Sequence, residues 1–393
     1  MDIEEIKKTA IRLGGNVKGL KPRFVFFKLK ERIHKEPRIK LVRGFRGSGK
    51  TTILLQLFNE YDDAIYISVD SPIIAEEKLY YILKELIING YKTLLIDEIH
   101  KYPNWRRDVK AIYDEFPDVT IICSGSAPLA FIPERREEVI DVEPMGFREF
   151  LEIKYNISIE SNDEWLDKDR SIELVAKYSP EIESHFKEYI QVGGYPISIR
   201  YDTESSKRAL YASIRKSIYE DSSAILKMSQ EKIFGMNQIL VFLATSEPGE
   251  LSVTTLSSIT NLSKSVVYEL LNALEGMKII RVLRPYGKGA KLVRGSPKML
   301  FYHPNLRYAI CNELNTEPSV GAVREELAVF SLTSRKYPVY TIKGAKKNPD
   351  YYVGKPLNSV IEIGGPGKTR RQIKGMKNAV LLKPDQLIAL SLF

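Results

Sequence analysis

Gly44-Phe-Arg-Gly-Ser-Gly-Lys50-Thr51 follows a short apolar segment, Ile39–Arg43, and leads directly into a stretch with helical periodicity. The spacing matches G-x-x-x-x-G-K-[ST], the pattern of a phosphate-binding loop between a strand and a helix. Glycines at 44, 47 and 49 allow the backbone to wrap around phosphates, and the helix N-terminus adds its positive dipole end. The pattern therefore predicts an α/β domain that binds a nucleoside triphosphate.

Two side chains of this loop carry the chemistry that a phosphate site needs. We expect Lys50 to bridge the β- and γ-phosphates of ATP and the Thr51 hydroxyl to ligate Mg²⁺. ATP, ADP and Mg²⁺ are therefore the ligands that the motif indicates. The motif residues expected to contact the nucleotide are Gly44, Gly47, Ser48, Gly49, Lys50, Thr51 and Thr52.

An acidic pair, Asp97-Glu98, follows the apolar run Thr93–Ile96. A strand that ends in two acids places both carboxylates at the carboxyl edge of the sheet, where open α/β sheets bind ligands. We expect Asp97 to hold the Mg²⁺ shell through water and Glu98 to act as general base on the attacking water. Such a pair favours hydrolysis over transfer to an organic acceptor. The alternative is a surface acid pair at a strand end.

Hydroxyl groups end the next predicted strand, at Ser124 and Ser126. Either hydroxyl is a candidate to contact the γ-phosphate and orient the water, and a plain Ser-Gly turn is the alternative. Arg135 and Arg136 follow, and they could supply transition-state charge in cis or in trans. An exposed, solvated arginine pair is the alternative there.

Strand-like and helical segments alternate through the first part of the chain. Apolar strands at 64–69, 93–96, 119–123 and 139–142, separated by helical periodicity, predict a parallel sheet. Charged helical segments replace the strands after Phe147. Short helices and then a β-rich stretch follow from about Ile239. We therefore place domain boundaries near 145, 238 and 300.

The positive charge of the chain is concentrated in its last part. The 393 residues include 59 Lys+Arg and 50 Asp+Glu, a net charge of +9. Residues 1–238 hold 37 basic and 39 acidic side chains, whereas residues 239–393 hold 22 basic and 11 acidic. Because such a field attracts phosphate polyanions by counterion release, duplex or branched DNA is an expected partner. The alternative is a solvated basic face.

The composition excludes several classes of protein. Cys123 and Cys311 are the two cysteines, so a disulfide scaffold and a four-cysteine zinc site are excluded. The amino terminus has no apolar signal-peptide core, and the longest apolar runs are too short for a bilayer. We expect a cytoplasmic protein with no membrane partner.

Five segments resemble one known family: RGFRGSGKTT (43–52), LLIDEIH (94–100), ICSGSAPLA (122–130), EPMGFREFLE (143–152) and YIQVGGYP (189–196). Together they are similar to the archaeal and bacterial AAA-type P-loop ATPases close to the STAND group. The resemblance covers nearly the whole chain. It implies a P-loop ATPase core (1–146), a helical lid (147–238), a winged helix (239–299) and a PD-(D/E)XK nuclease-like domain (300–393).

The same resemblance assigns two further nucleotide contacts. Arg46 matches the arginine of the family's loop, and Pro196, in Gly194-Tyr195-Pro196, matches a lid motif that packs against adenine. A turn between helices is the alternative for that motif. AAA-type cores often form rings while STAND-like relatives can be monomers, so a homo-oligomer is an open expectation.

Residues 251–275 have the pattern of a helix-turn-helix. Ser263 is a good N-cap, and Val266, Leu270, Leu271 and Leu274 form the apolar stripe. Lys264 lies on the opposite face, which would approach a DNA groove. The basic segment that follows indicates a wing that would contact DNA through Lys288, Lys291 and Arg294. Many such domains bind only proteins, which is the alternative.

Acids near the carboxyl end follow the layout of PD-(D/E)XK nucleases, with Glu325 on a helix, then Asp350, then Glu362 on a strand. In that family the acids bind a divalent metal and a lysine steadies the attacking water. The lysine position is Gly364 here, and Lys368 in the following loop is the candidate replacement. An active nuclease, a degenerate fold that binds DNA or a partner, and an unrelated structure all stay open.

Two functions from different classes emerge from these patterns. The first is an ATP-hydrolysing AAA-type ATPase whose nucleotide state controls a DNA-directed carboxyl-terminal half, with ATP and Mg²⁺ between the sheet and the lid. The second is a STAND-like switch that binds nucleotide tightly and holds protein partners. The unopposed basic charges of Gly276–Met299 favour the first.

Overall fold

The computed structural model describes residues 3–393 apart from 76–77, 127–130, 160–163, 179–180, 222–227, 248–251, 288–296 and 343–348. The chain divides into a first compact unit that ends at Glu143 and a second that begins at Pro144. In the described part of the chain, no helix is both long and apolar enough to cross a membrane.

The first unit is a parallel sheet covered by helices. Its strands are β1 Ile39–Arg43, β2 Ala64–Ser68, β3 Thr93–Asp97, β4 Thr120–Gly125 and β5 Glu137–Asp141. Its helices are α1 Ile3–Gly15, α2 Phe24–Arg32, α3 Lys50–Glu60, α4 Pro72–Ala75, α5 Leu79–Ile88 and α6 Trp105–Glu115. The strand order is β2-β3-β4-β1-β5, and every neighbouring pair is parallel. The predicted α/β fold with a parallel sheet is confirmed.

This strand order positions the phosphate loop. The chain leaves β1, crosses to β2 at the far edge of the sheet, and returns through β3 and β4 toward β1. In the resulting order β1 lies between β4 and β5. Ligands of open α/β sheets bind at the carboxyl ends of strands where the order reverses. The carboxyl ends of β1, β3 and β4 therefore meet at one edge, and the side chains of β3 and β4 are buried throughout, as a sheet covered on both faces requires.

Helices form the first part of the second unit. They are α7 Phe147–Phe150, α8 Lys168–Tyr178, α9 Glu181–Glu188, α10 Ile197–Arg200, α11 Thr203–Lys216, α12 Gln230–Thr245, α13 Val253–Thr260 and α14 Lys264–Gly276. Wider π-type turns continue three of the helices, at Leu151–Tyr155, Tyr189–Gly193 and Ser217–Asp221. The expected helical character after Phe147 agrees with these elements. The boundaries proposed near 238 and 300 within this unit remain predictions.

A hairpin and a mixed sheet complete the second unit. The hairpin pairs β6 Ile280–Leu283 with β7 Lys298–Phe301. Two helices follow, α15 Pro304–Glu313 and α16 Val320–Ser334. The sheet contains β8 Val339–Thr341, β9 Tyr351–Val353, β10 Ser359–Ile363 and β11 Ala379–Leu382, and α17 Pro384–Ser391 ends the chain. The strand order is β11-β10-β9-β8, in which β10 and β11 are parallel and the other pairs antiparallel.

A buried ion pair joins four elements of this unit. Arg307 of α15 and Glu326 of α16 are each no more than 1% exposed, with Nη2 and Oε1 2.7 Å apart. Arg307 also donates to the carbonyl oxygens of Leu243 and Ala244 at the end of α12, and Glu326 accepts from the backbone N–H of Phe301 in β7. Because each charge has several polar partners, the pair offsets much of its desolvation cost.

Candidate functional site

The phosphate loop occupies the turn between β1 and α3. Gly47 and Gly49 have φ values of 85° and 96°, a left-handed conformation that glycine adopts without strain. A Cβ atom on Gly44 would lie 2.5 Å from the carbonyl oxygen of Val142 and 2.8 Å from Ser48 Oγ. The loop therefore needs glycine for its backbone turn and for its close packing.

The amine of Lys50 lies against backbone carbonyl oxygens of this loop. The side chain is buried, and Nζ donates to the oxygens of Gly44 and Phe45 at 3.0 and 3.2 Å. A wrapped glycine backbone, a lysine amine and the N-terminus of α3 thus lie together, which is the arrangement that holds a polyphosphate. The residues present fit a nucleoside triphosphate. Of the other expected contacts, Ser48 is buried, Arg46, Gly49 and Thr52 are half-buried, and Thr51 is exposed.

Arg23 supports the loop from the segment before α2, a role that the sequence patterns do not indicate. Its guanidinium donates to the backbone oxygen of Ser48 at 2.8 Å and to that of Glu143 at 3.0 Å. The side chain is 6% exposed. No local motif marks Arg23, because its two acceptors lie 25 and 120 residues away in sequence.

Asp97, at the end of β3, collects hydroxyl groups from neighbouring elements. Its carboxylate accepts from Thr51 Oγ1 at 2.7 Å, from the Tyr66 hydroxyl at 3.0 Å and from Ser124 Oγ. Burial, with the charge of Asp97, raises the pKa of Tyr66, so the phenol remains a donor. Thr51 and Asp97 offer the hydroxyl and carboxylate oxygens that Mg²⁺ prefers, and they fit the ion together with phosphate oxygens of a nucleotide.

Glu98 stands next to Asp97 in a left-handed backbone conformation, with φ of 54°. Its Oε2 accepts from Ser126 Oγ at 3.2 Å and lies 3.6 Å from His100 Nε2. The His100 side chain is 2% exposed, and a Cβ atom on Gly125 would lie 2.7 Å from its Nδ1. The carboxylate of Glu98 is therefore fixed at the same sheet edge as the phosphate loop. His100 is thus a buried neighbour of Glu98.

The structure separates the two serines predicted at the end of β4. Ser124 is fully buried and donates to Asp97, so it helps to position that carboxylate. Ser126 is the serine beside Glu98. Ser124 lies beside Asp97 because β3 and β4 pair in parallel with Ile96 opposite Cys123. Contact of either serine with the γ-phosphate stays a prediction.

Arg135 lies near the amino-terminal ends of β1 and β5, whereas the phosphate loop follows the carboxyl end of β1. It precedes β5, whose first residue, Glu137, pairs with Ile39 at the start of β1. The exposed Arg135 lines a surface depression with Glu36 and Tyr113. Because β1 is about 13 Å long, Arg135 does not reach the loop of its own chain. This corrects the expected contribution in cis, and one in trans stays a prediction.

The Gly194-Tyr195-Pro196 motif is clasped by a second motif, His303-Pro-Asn305, of the same unit. Gly194 N–H donates to Asn305 Oδ1 at 2.6 Å, and Asn305 Nδ2 donates to the oxygens of Tyr189 and Ile190. A Cβ atom on Gly194 would lie 2.5 Å from His303 Cε1. Burial lowers the pKa of His303 to about 3, so its ring is neutral. The expected contact of Pro196 with adenine stays a prediction.

Helices α13 and α14 with the β6–β7 hairpin occupy the expected helix-turn-helix region. Ser263 caps α14 through the N–H of Val266, as predicted. Lys264 and Tyr268 are exposed on α14. Val267, instead of the expected Val266, joins the buried stripe with Leu270, Leu271 and Leu274. The expected wing contacts Lys288, Lys291 and Arg294 lie outside the described residues.

The four residues of the nuclease-like pattern come together beside β10. Asp350 N–H donates to Glu362 Oε2 at 3.2 Å, and Asp350 Oδ2 accepts from Ile363 N–H at 2.7 Å. Glu325 accepts from Lys298 and from the Tyr351 hydroxyl. Burial and the charge of Glu325 raise the pKa of Asp350 to about 6. Among the described residues, no three His, Cys, Asp or Glu side chains are placed to hold a metal by themselves.

Lys368 fills the space that a side chain at residue 364 would occupy. A Cβ atom on Gly364 would lie 2.4, 2.6 and 3.0 Å from Cβ, Cγ and Cδ of Lys368. Nζ of Lys368 lies 2.6 Å from Glu362 Oε1. Burial lowers the pKa of Lys368, but the hydrogen bond to Glu362 and the charge of Asp350 outweigh it and raise the pKa. We call Glu325, Asp350, Glu362, Lys298 and Lys368 the acid–lysine cluster.

Two family models match parts of the chain. Residues 36–151 match an AAA domain, and residues 183–317 match a domain of unknown function, DUF8612. Two uncharacterized proteins of Methanocaldococcus jannaschii are similar over most of their length. One is 27% identical over 388 residues, covering 90% of this chain and 82% of that protein. The other is 25% identical over 369 residues, covering 87% and 79%.

Solved structures with weak similarity to this chain include a STAND protein and DnaA. A STAND protein with a tetratricopeptide repeat sensor from Pyrococcus horikoshii has a TM-score of 0.33 and 14% identity, and the match covers 80% of this chain but 46% of that one. AMPPCP-bound DnaA from Aquifex aeolicus has a TM-score of 0.26 and 15% identity, covering 63% and 86%. The glycine loop, the hydroxyls around Asp97 and the matched AAA domain together support a P-loop ATPase of the AAA type.

Proposed function

We propose that the chain is a Mg²⁺-dependent, ATP-hydrolysing AAA-type ATPase that acts on DNA, or is regulated by it, through its basic carboxyl-terminal half. The observation that carries the ATPase is the meeting of Thr51 Oγ1 and Asp97 at 2.7 Å beside Lys50 and the glycine loop. The general base proposed, Glu98, follows Asp97 directly in the chain.

Each side chain of the site has a task in this reaction. Lys50 and the N-terminus of α3 offer positive charge to the phosphates. Glu98 accepts a proton from the attacking water. Ser126, 3.2 Å away, and His100, 3.6 Å away, hold the carboxylate of Glu98 in position. When bound at Thr51 and Asp97, Mg²⁺ supplies charge neutralisation for the leaving phosphates.

The test of the ATPase is phosphate release by the full chain with ATP and Mg²⁺, compared with two variants. Glu98→Gln should keep ATP bound but lower turnover by roughly 100-fold or more, because it removes the general base. Lys50→Ala should abolish ATP binding. Undiminished turnover in Glu98→Gln would remove Glu98 from the role of base, and undiminished binding in Lys50→Ala would overturn the site.

The proposed DNA function has support from charge and from exposed side chains. Residues 239–393 hold twice as many basic as acidic side chains, 22 against 11. Lys264 and Tyr268 are exposed on α14, which is followed by a hairpin in the order of a winged helix. DNA should stimulate ATP turnover, and the stimulation should fade with salt. Turnover that is indifferent to duplex and branched DNA would overturn the coupling.

The wing contacts have their own test. Charge reversal at Lys288, Lys291 and Arg294 should weaken duplex binding and flatten its dependence on salt, because phosphate contacts set that slope. An unchanged slope would move the contact elsewhere. If the wild-type chain binds nucleotide tightly, turns over slowly and ignores DNA, the alternative function gains: a STAND-like nucleotide-gated switch that holds protein partners.

Metal-dependent cleavage of nucleic acid is a second candidate, and one observation favours it. The side chain of Lys368 occupies the place of the motif lysine beside Glu362. The pairing of Glu325 with Lys298 argues for a degenerate nuclease-like fold instead. The test is cleavage of labelled single-stranded and duplex DNA with Mg²⁺ or Mn²⁺, by wild type and by Asp350→Asn. Cleavage that the substitution removes would establish the activity, and no cleavage would leave the degenerate fold.

A further inference from the structure

Tyrosine rings cluster on the outer face of the β8–β9 sheet. The ring centroids of Tyr286 and Tyr352 are 4.1 Å apart, those of Tyr286 and Tyr340 are 5.7 Å apart, and those of Tyr340 and Tyr352 are 6.5 Å apart. We call these residues the tyrosine platform. They come from separate parts of the chain, so no local sequence motif indicates that they lie together.

Backbone pairing brings the rings together. In the antiparallel register of β8 and β9, Tyr340 stands directly opposite Tyr352. The segment after β6 then lies along β8: Thr341 N–H donates to Arg284 O at 3.0 Å, and Tyr286 N–H donates to Thr341 O at 2.8 Å. The third ring is therefore held beside the other two by a hydrogen-bonded edge and not by a loose loop.

Packing alone does not account for this face of the sheet. The opposite face carries Tyr351 and Val353, which are fully buried in the core of the unit. Tyr286 is 51% exposed, while Tyr340 and Tyr352 are half-buried. A contiguous aromatic surface that a protein leaves in contact with water is a feature of interaction sites.

The segments that build the platform are basic and contain no acid. Residues 281–287, 335–342 and 351–361 hold no Asp or Glu. Arg284, Lys336 and Lys355, one from each segment, are exposed. A polyanion is therefore the complementary partner, and aromatic rings within a positive surface are the features that bind unpaired bases and their phosphates.

We propose that the tyrosine platform binds single-stranded DNA by stacking unpaired bases on Tyr286, Tyr340 and Tyr352. This inference rests on the proposed DNA-directed function and specifies its substrate as an unpaired strand. Bases of an intact duplex are already stacked on each other, so the rings have no base faces to contact there. Glu362 lies on the same sheet face as Tyr352, about 7 Å further along the strands. A bound strand would thus run toward the acid–lysine cluster.

The test measures binding of the full chain to a labelled oligodeoxythymidylate of about 15 nucleotides by fluorescence anisotropy. Tyr286→Ala should weaken binding about 5- to 100-fold, the range expected when one stacked base loses its ring. Tyr286→Phe keeps the ring and should bind as wild type does. Tyr201→Ala is the matched control, since Tyr201 is 53% exposed in the same unit, and it should leave the affinity unchanged.

A second readout locates the contact. Irradiation of a complex with a bromouracil-containing strand should cross-link Tyr286 or Tyr352, as mapped by mass spectrometry. Cross-links elsewhere, with wild-type affinity in both Tyr286→Ala and Tyr352→Ala, would overturn the inference. If the chain binds duplex but not the single strand, the inference fails and the proposed function stands. If it binds neither, the inference and the proposed DNA function both fail, while the ATPase is judged by its own test. Thermal unfolding of each variant identifies one that has simply lost its fold.

Discussion

Asp97 illustrates how one residue depends on side chains that no local motif includes. Its carboxylate accepts hydrogen bonds from Thr51, Tyr66 and Ser124, which come from α3, β2 and β4. Only Thr51 belongs to the phosphate-loop pattern. The other two hydroxyls orient this buried carboxylate, so they belong to the site although they lie outside the loop motif.

Tyr66→Phe tests this support. Removing the hydroxyl deletes one hydrogen bond to a buried charge, and such a bond contributes about 1.5–3 kcal/mol to holding the carboxylate in place. We expect the Mg²⁺ concentration at half-maximal ATP turnover to rise about 10-fold, with ATP binding in the absence of metal unchanged. Tyr61→Phe is the control, because Tyr61 follows the far end of α3. Equal Mg²⁺ dependence in both variants would show that Tyr66 is structural only.

Asp350 provides a pH-dependent prediction. Burial and Glu325 raise its pKa in the folded chain to about 6, above the ordinary value of 3.8. The folded state therefore binds this proton more tightly than the unfolded state does, and stability falls as pH rises from about 4 to about 6. Asp350→Asn should raise the free energy of unfolding by about 3 kcal/mol at pH 7 and by little at pH 4. Urea unfolding at both pH values checks this, and an equal effect at both would contradict it.

At the scale of elements, the second unit is tied together by short polar clasps between helices. Asn305, at the start of α15, accepts from Gly194 and donates to Tyr189 and Ile190, which belong to the wider turn that continues α9. Such a turn leaves carbonyl oxygens without their usual helical partners. The amide of Asn305 satisfies two of these oxygens and fixes how the turn meets the next helix.

Asn305→Ala should therefore destabilise this unit. The substitution leaves buried polar groups of Gly194, Tyr189 and Ile190 without Asn305, at a cost of about 2–4 kcal/mol. Thermal unfolding followed by circular dichroism measures the loss. Asn272→Ala, an exposed position on α14, should change stability by less than about 0.5 kcal/mol. If the two variants unfold alike, the clasp contributes little.

Elements differed in how far the sequence could predict them. The strand, glycine loop and helix around Lys50 were predictable because the pattern and its cause are local. The position of Arg135 was not, since it depends on β5 pairing beside β1 with its first residue at the far edge. The direction of Ser124 also depended on sheet register, and the clasp of Asn305 on a contact between residues more than 100 positions apart. The sequence makes Lys368 a candidate, but only the folded loop shows that it reaches Glu362.

At the scale of the whole molecule, the division at Glu143 has an experimental consequence. The first unit has its own core, built on the five strands and their helices, with side chains such as Leu41, Leu54 and Ile96 fully buried. Residues 1–143 expressed alone should unfold in one cooperative transition and bind ATP, since a domain with its own core can fold alone. Calorimetry and nucleotide titration measure both, with Lys50→Ala as the control. A fragment without a cooperative transition would mean that the first unit needs the second.

Lys368 fills the space beside Gly364, so the position of its amine next to Glu362 depends on the length of the loop between residues 364 and 368. In an E-x-K strand the pleat guarantees that acid and amine share a face. Here the amine is positioned instead by a turn in which Lys368 N–H donates to Gly365 O at 3.1 Å. One residue inserted or deleted between 364 and 368 would leave every strand in register yet move the amine away from Glu362. Related chains that keep the glycine but change this spacing would therefore have lost the cluster, even where each of its residue types survives.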